Sequence, residues 1–178
     1  MKSIKIILLI LVITGVAMAF IVWAAVSLGF NSLVFAFLLN WLVLSWATII
    51  CQVVPISFPS RYYSIKAFEQ SGKTYEQLGI RSYKKMVLSG ARVKQNQKRT
   101  LSLDKSSAAL LNMASKMQKA ETYHVIVFLL IALTAFYALL RGYFSAFAWL
   151  LIFNIVINGY PIMLHRYNRN RVLQLVKK

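Results

Sequence analysis

The chain has 178 residues, of which 59% are hydrophobic and only 14% are charged, whereas about a quarter of the residues of a soluble domain carry a charge. No Asp, Glu, Lys or Arg occurs between Ile6 and Ser60, and a soluble domain of this length has no core that could bury such a stretch. The net charge of +17 favours an anionic partner, and the uncharged stretch argues against a nucleic-acid-binding module. We therefore expect an integral membrane protein that contacts anionic lipid or an acidic substrate, and no nucleic acid.

The first apolar stretch is too long for a single crossing, because about 20 residues span the hydrocarbon of a bilayer. Gly29 and Asn31 predict a break, which gives two spans near residues 6–26 and 32–54. The start of the chain also resembles a signal peptide with a small-residue site at residues 17–19. Since the apolar stretch continues past that site, we expect a retained anchor, with a cleaved signal as the alternative.

Pro55 and Pro59 predict the end of the second span, and a polar segment follows over residues 56–121. That segment holds 13 basic residues and all four acidic residues of the chain. Residues 74–77 resemble a capping box that opens a short helix, and Gly79 predicts its end. Residues 101–120 carry apolar positions at helical spacing, which predicts an interfacial helix that leads into the next crossing.

Two further spans are predicted near residues 122–140 and 142–164, joined by a turn at Arg141 and Gly142 and followed by a basic tail, residues 165–178. Counted by segment, the N-terminus has two basic residues, the polar segment 13, the tail five, and Arg141 stands alone. The positive-inside rule then places both termini and the polar segment in the cytoplasm. The expected architecture is one all-α domain, residues 1–178, that crosses the cell membrane four times and carries a basic cytoplasmic segment with short interfacial helices.

The chain has two histidines, and one of them follows a glutamate at helical spacing. His124 lies three residues after Glu121, so both side chains share a helix face. A carboxylate beside an imidazole orients the ring and raises its basicity, as a general base requires. The alternative is that Glu121 forms an ion pair with a nearby Lys or Arg at the membrane interface.

The second histidine belongs to a polar stripe that climbs into the fourth predicted span. Pro161 lies on this stripe, and its missing N–H leaves a carbonyl without a donor near Ile157. A polar stripe in a membrane helix faces a cavity, or it serves hydrogen bonds between helices. The polar members of the stripe are Asn154, Asn158, His165, Asn168 and Arg169.

The tail places three arginines close together, at Arg166, Arg169 and Arg171. Arginine holds phosphate or carboxylate in a bidentate manner, so these residues are candidates for a head-group clamp, with a positive-inside anchor as the alternative. The sequence has no Gly-rich phosphate loop, no metal-ligand cluster and no Gly-x-Ser-x-Gly motif. We therefore expect no cofactor or metal, and direct attack by a substrate hydroxyl if the protein is an enzyme.

The tail residues 161–173, Pro-Ile-Met-Leu-His-Arg-Tyr-Asn-Arg-Asn-Arg-Val-Leu, resemble the end of the glycosyl-diaponeurosporenoate acyltransferases of the staphyloxanthin pathway. Three upstream segments are also similar to that family: Phe68-Glu69 with a following glycine, residues 80–84, and the Ala-Glu-x-x-His of residues 120–124. The resemblance covers roughly residues 55–173, and the longer apolar N-terminal region departs from the family pattern.

The resemblance implies an integral membrane enzyme that esterifies a sugar hydroxyl of a glycosylated carotenoid acid with a fatty acyl chain. It implies a lipid or glycolipid acceptor and an acidic acyl donor, either acyl-CoA or an acyl carrier protein. We expect His124 to be the base, Glu121 its orienter, and His165 the alternative base. The expected substrate contacts are Arg81, Asn158, Arg166, Asn168 and Arg169. The alternatives are a non-enzymatic scaffold or lipid-binding protein, and another interfacial transferase such as a methyltransferase.

Overall fold

The structure is a computed structural model that describes residues 2–90 and 106–176, and every regular element in these residues is a helix. Four helical stretches are long and apolar enough to cross a membrane: Ile4–Leu28, Leu33–Val53, Ser107–Leu140 and Phe144–Val176. These observations confirm the predicted all-α membrane protein with four long apolar helices. The helices are α1 (Lys2–Leu28), α2 (Leu33–Val53), α3 (Ser60–Tyr63), α4 (Ala67–Gln70), α5 (Lys73–Gln77), α6 (Ile80–Gly90), α7 (Ser107–Leu140), α8 (Phe144–Asn154), a π-helical turn (Ile155–Gly159) and α9 (Tyr160–Val176).

The chain divides into two compact units. The first, here called the bundle unit, comprises Met1–Ser57 and Thr122–Gly159. The second, here called the arginine unit, comprises Phe58–Glu121 and Tyr160–Lys178. Each unit has its own cluster of buried apolar side chains and its own polar network.

The break between the first two long helices lies where the sequence predicts it. Gly29 follows the last residue of α1 with φ of +80°, a left-handed conformation that favours glycine. Ser32 then caps α2, because its side-chain oxygen accepts hydrogen bonds from the backbone N–H groups of Val34 and Phe35. Local capping chemistry therefore separates two apolar helices that differ little in composition.

The core of the bundle unit combines large and small side chains. Large residues such as Phe35, Leu39 and Ile131 are buried beside several alanines. Small residues let membrane helices approach closely, so dispersion contacts between backbones replace the hydrophobic effect that lipid does not supply. The buried alanines of this core are Ala24, Ala36, Ala47, Ala135, Ala138 and Ala146.

One helix boundary differs in detail from the predicted one. Helix α7 begins at Ser107, so from that residue onward the predicted interfacial helix continues directly into the third long helix. The part of the predicted interfacial helix over residues 101–105 lies outside the described residues. The π-helical turn Ile155–Gly159 lies just before Pro161. Proline has no N–H, so a carbonyl one turn earlier loses its donor, and a π-helical turn is a local adjustment that can satisfy such a carbonyl.

The arginine unit packs the short helices α4, α5 and α6 against α9 around Tyr75, Ile80 and Tyr167. The predicted capping box at residues 74–77 is wrong, because α5 begins at Lys73 and the residue before it is Gly72 with φ of +71°. A Cβ on Gly72 would lie 2.9 Å from Cε2 of Tyr167, so glycine fits this position sterically as well. The predicted end of the helix at Gly79 is confirmed by its φ of +81°.

Candidate functional site

Arg166 is the centre of a buried ion-pair network in the arginine unit. Its Nε donates to Oε1 of Glu69 at 2.6 Å and its Nη2 donates to Oε2 of Glu69 at 2.9 Å, which forms a bidentate pair. Its Nη1 donates to Oε1 of Glu121 at 2.8 Å. The Arg166 side chain is 12% exposed, so one guanidinium holds two buried carboxylates together.

Glu69 receives two more hydrogen bonds in addition to those from Arg166. The hydroxyl of Tyr75 donates to its Oε1, and the backbone N–H of Lys66 donates to its Oε2 at 2.7 Å. Burial raises the pKa of Glu69, but the hydrogen bonds from Arg166, Tyr75 and Lys66 outweigh burial and lower the pKa to about 2. Glu69 is therefore charged at neutral pH and is a poor proton acceptor.

Glu121 is completely buried and faces a second arginine. Nη2 of Arg169 lies 3.3 Å from Oε2 of Glu121, and the same nitrogen donates to the backbone carbonyl of Tyr63 at 3.0 Å. The Arg169 guanidinium also lies over the Tyr63 ring, 5.4 Å from its centroid. The structure therefore pairs Glu121 with arginines, which is the alternative that the sequence left open beside the expected role as orienter of His124.

Tyr62 adds an aromatic wall to the same network. The guanidinium of Arg166 lies 5.3 Å from the centroid of the Tyr62 ring. Burial and then the negative charge of Glu121 raise the pKa of Tyr62 to about 12. Burial and the hydrogen bond to Glu69 likewise raise the pKa of Tyr75 above its usual value. Both phenols stay protonated at physiological pH and can act as hydrogen-bond donors.

An open cleft of about 700 Å³ lies directly over Glu69 and Arg166. Two exposed cations, Arg61 and Lys66, lie on its wall. Neither forms an ion pair with a carboxylate of the described residues. Nζ of Lys66 donates to the backbone carbonyl of Arg61 at 3.1 Å and to Oγ of Ser64 at 2.8 Å. The full lining is Pro59, Arg61, Tyr62, Lys66, Phe68, Glu69, Tyr75 and Arg166.

A smaller polar pocket of about 200 Å³ lies elsewhere in the arginine unit. Arg81, an expected substrate contact, lines it and forms an ion pair with Glu76 at 2.7 Å. The hydroxyl of Tyr167 donates to Glu76 at 2.7 Å and accepts from Nη1 of Arg171 at 3.0 Å. The charges of this pocket are therefore partly compensated, unlike those on the wall of the larger cleft.

The bundle unit holds a second polar cluster, which includes the expected base. Nδ1 of His124 lies 3.2 Å from Oδ1 of Asn158. Asn158 is fully buried and donates to Oδ1 of Asn40 at 3.1 Å and to Oδ1 of Asn154 at 3.0 Å. The expected polar stripe thus forms hydrogen bonds between helices at Asn154 and Asn158, and Asn158 supplies the contact to His124 that was expected from Glu121.

Sequence reasoning identified part of this arrangement and missed the rest. Of the expected residues, the structure brings Glu121, Arg166 and Arg169 together, while His165 and Asn168 are half-buried in α9. The sequence did not predict the roles of Glu69 and Asn40. The scarcity of acidic residues was a usable signal for Glu69, because a carboxylate in such a basic segment is expected to bind an arginine.

No metal site is found in the described ranges, where no three residues of the His, Cys, Asp and Glu types lie close enough to bind one ion.

A family model described as "Glycosyl-4,4'-diaponeurosporenoate acyltransferase" matches residues 59–178. That range contains the whole arginine-unit network and both histidines. Searches of curated proteins and of solved structures returned no match.

Proposed function

The chain belongs to the glycosyl-4,4'-diaponeurosporenoate acyltransferase family, and from that premise we propose that it is a membrane-bound enzyme that transfers a fatty acyl group to a hydroxyl of a glycosylated lipid or carotenoid. The family name implies acyltransferase activity, and the four long apolar helices indicate a membrane protein. The acceptor, the donor and the residue roles below are our proposals.

The observation that carries this proposal is the cationic wall of the cleft over Glu69 and Arg166. Arg166, Arg169 and Arg81 each pair with a carboxylate, whereas Arg61 and Lys66 form no ion pair in the described residues. Cations without a carboxylate partner on a concave surface attract phosphate. We therefore assign Arg61 and Lys66 to the phosphate groups of a phosphopantetheine-type acyl donor, either acyl-CoA or an acyl carrier protein.

This assignment changes the role expected for the tail arginines. Arg166 and Arg169 were expected to contact the donor or the head group directly, but their guanidinium groups are held by Glu69, Glu121 and backbone carbonyls. We propose that they fix the floor of the cleft and hold Tyr62 and Tyr75 in place. In these positions both aromatic rings form part of the wall of the cleft.

The proposed reaction is a direct acyl transfer. The acceptor hydroxyl oxygen forms a bond with the acyl carbon, the carbon–sulfur bond of the thioester breaks, and the thiolate leaves. His124 accepts the hydroxyl proton and returns it to the departing thiolate, with His165 as the alternative base. The products are an acyl ester and a free thiol, and no oxidant or reductant is needed.

We propose that both termini and the arginine unit face the cytoplasm, since Arg141 is the one basic residue of 21 assigned to the other side. A cytoplasmic arginine unit would meet the acidic acyl donor and the anionic inner leaflet on the same side. The variants Lys73→Cys and Gly142→Cys, each in a Cys51→Ala background, test this assignment. An impermeant maleimide applied to intact cells should label position 142 and spare position 73, and the reverse pattern would contradict the orientation.

Lipid profiling of cells with and without the gene separates acyl transfer from the competing functions. Loss of an acyl ester from a glycosylated lipid is expected in the deletion strain, and the wild-type gene should restore it while His124→Ala should not. Loss of a methyl group would favour a methyltransferase, and an unchanged lipid profile would favour a scaffold. Either result would overturn the proposal.

Kinetics with the purified protein test the cleft directly. Arg61→Ala and Lys66→Ala should each raise KM for the acyl donor about tenfold at low salt, with little change in kcat, because each removes a charge-assisted contact. Lys73→Ala is the matched control, since Lys73 is exposed in α5 and does not line the cleft. An equal effect of all three substitutions would assign the change to net charge and contradict the cleft as the donor site.

A further inference from the structure

Three asparagines, Asn40, Asn154 and Asn158, form an amide cluster in the bundle unit. Two backbone carbonyls determine the direction of the hydrogen bonds within it. Nδ2 of Asn40 donates to the carbonyl of Ala36 at 3.0 Å, and Nδ2 of Asn154 donates to the carbonyl of Phe128 at 2.9 Å. A carbonyl oxygen can only accept, so the amide nitrogen of each asparagine must face it. The side-chain oxygen of each asparagine is thereby left to act as an acceptor on its other side.

Asn158 receives its orientation from these two neighbours. Its Nδ2 donates one hydrogen to Oδ1 of Asn40 and the other to Oδ1 of Asn154, at 3.1 and 3.0 Å. A flipped Asn158 would place its oxygen against two other oxygens, which is repulsive in a site from which water is excluded. All three asparagines are completely buried, so solvent cannot relieve that repulsion.

The remaining atom of Asn158 is its Oδ1, which lies 3.2 Å from Nδ1 of His124. An amide oxygen only accepts, so Nδ1 of His124 carries the hydrogen of this contact. We propose that Asn40, Asn154 and Asn158 are positioning residues that fix neutral His124 as the Nδ1–H tautomer, which makes Nε2 the basic nitrogen. The catalytic meaning of this tautomer rests on the proposed function, whereas the tautomer itself does not.

The chemistry of the amide explains why asparagine suits this position. The usual orienter of a histidine is a carboxylate or a backbone carbonyl, and a carboxylate inside a membrane span is costly because its charge is removed from water. An amide oxygen fixes the ring without adding a charge. The bundle unit therefore obtains a defined base nitrogen from neutral groups alone.

The test is nitrogen NMR of the full chain in detergent, labelled with ¹⁵N only at histidine. The chain has two histidines, and the His165→Asn variant assigns their signals. At about pH 8, where an unperturbed imidazole is neutral, a protonated ring nitrogen and an unprotonated one resonate at well-separated positions. We expect His124 to show a protonated Nδ1 and an unprotonated Nε2, the opposite of the form that neutral histidine favours in water.

Two variants separate the proposed cause from general packing. Asn158→Leu should return His124 to the Nε2–H tautomer. Asn40→Leu removes a polar partner from the same cluster but leaves Asn154 to orient Asn158, so the Nδ1–H tautomer should persist. If Asn158→Leu does not fold, the wild-type spectrum decides, because an Nε2–H tautomer or a rapidly exchanging mixture in the wild type would overturn the proposal.

The NMR measurement also separates this proposal from the proposed function, because the spectra are recorded without an acyl donor or an acyl acceptor. An Nδ1–H tautomer in a protein that transfers no acyl group would support the inference while the acyltransferase proposal fails. Acyl transfer by a protein whose His124 is the Nε2–H form would overturn the inference alone.

Discussion

The two units bury polar groups of different kinds. The bundle unit uses neutral amides and one imidazole, joined through Asn40, Asn154, Asn158 and His124. The arginine unit uses full charges, with two glutamates and two arginines in mutual contact. A charge inside a membrane span is costly whatever its partner, whereas a charge in a polar segment needs only a good partner and hydrogen bonds. The type of polar group thus follows the surroundings of each unit.

The difference also bears on function. In the arginine unit, pairing neutralises Arg166 and Arg169, and the cleft charges at Arg61 and Lys66 remain for an anionic ligand. In the bundle unit, the amides supply direction without charge, and the ring of His124 receives a defined orientation. We therefore propose that the arginine unit binds the acidic donor and that the bundle unit supplies the base.

The largest expected effect is the loss of the central guanidinium. Arg166→Ala leaves Glu69 and Glu121 buried without their shared partner, which is expected to lower the free energy of unfolding by about 3–5 kcal/mol. Thermal unfolding in detergent measures the change. Arg81→Ala is the matched control, because Arg81 is 70% exposed and pairs with a single glutamate at the surface. A variant at position 166 as stable as this control would contradict the network.

The next largest loss of stability is expected from substituting Gly72, and a matched substitution of Gly142 separates backbone strain from a steric clash. Gly72→Ala meets a positive φ and also Tyr167 at 2.9 Å from the added Cβ, whereas Gly142→Ala meets a positive φ of +75° and no neighbour within 4 Å. The left-handed conformation costs about 1–2 kcal/mol for a residue with a Cβ, so both variants lose that much and Gly72→Ala loses more. Equal melting temperatures for the two variants would show that the contact with Tyr167 is not close.

The amide cluster is expected to contribute less than the ion pairs. Asn158→Leu should lower stability by about 1 kcal/mol, near the values found for hydrogen bonds between membrane helices. Asn112→Leu is the control, since Asn112 is exposed on α7. If Asn158→Leu destabilised the protein as strongly as Arg166→Ala, the contrast between the neutral and the charged cluster would fail.

The smallest expected effect at neutral pH concerns Glu69, whose contribution to the stability of the arginine unit changes only in acid. Since the pKa of Glu69 is lowered from 4.5 to about 2, its contribution is complete above about pH 4.5 and declines as the pH falls towards 2. Between pH 8 and about pH 5 no change from Glu69 is expected. A melting curve series should show a steeper acid loss for the wild type than for Glu69→Gln, and parallel curves would contradict the lowered pKa.

The features that could be predicted from the sequence are those set by neighbouring residues. The predicted breaks at Gly29 and Gly142 follow from local conformation, and both glycines have a positive φ. The partners in the two clusters are far apart in the chain: Arg166 and Glu69 are separated by 97 residues, and Asn158 and Asn40 by 118. Helical periodicity indicates which face carries a polar residue, but it does not identify the residue that meets it from another helix. For that reason the sequence left two roles open for Glu121, as orienter of His124 or as partner of a basic residue, and did not identify Arg166 and Arg169 as its partners.

The most direct test of the central claim is acyl transfer by the purified protein in vesicles. The vesicles contain a glycosylated carotenoid acceptor, and an acyl-CoA labelled in its fatty acyl chain is added outside. The account predicts a labelled ester of the acceptor that mild alkali hydrolyses, formed at a rate that Lys73→Ala preserves and that Arg61→Ala lowers at subsaturating donor. Folded protein that forms no labelled ester, with acyl-CoA or with an acylated carrier protein, would contradict the account.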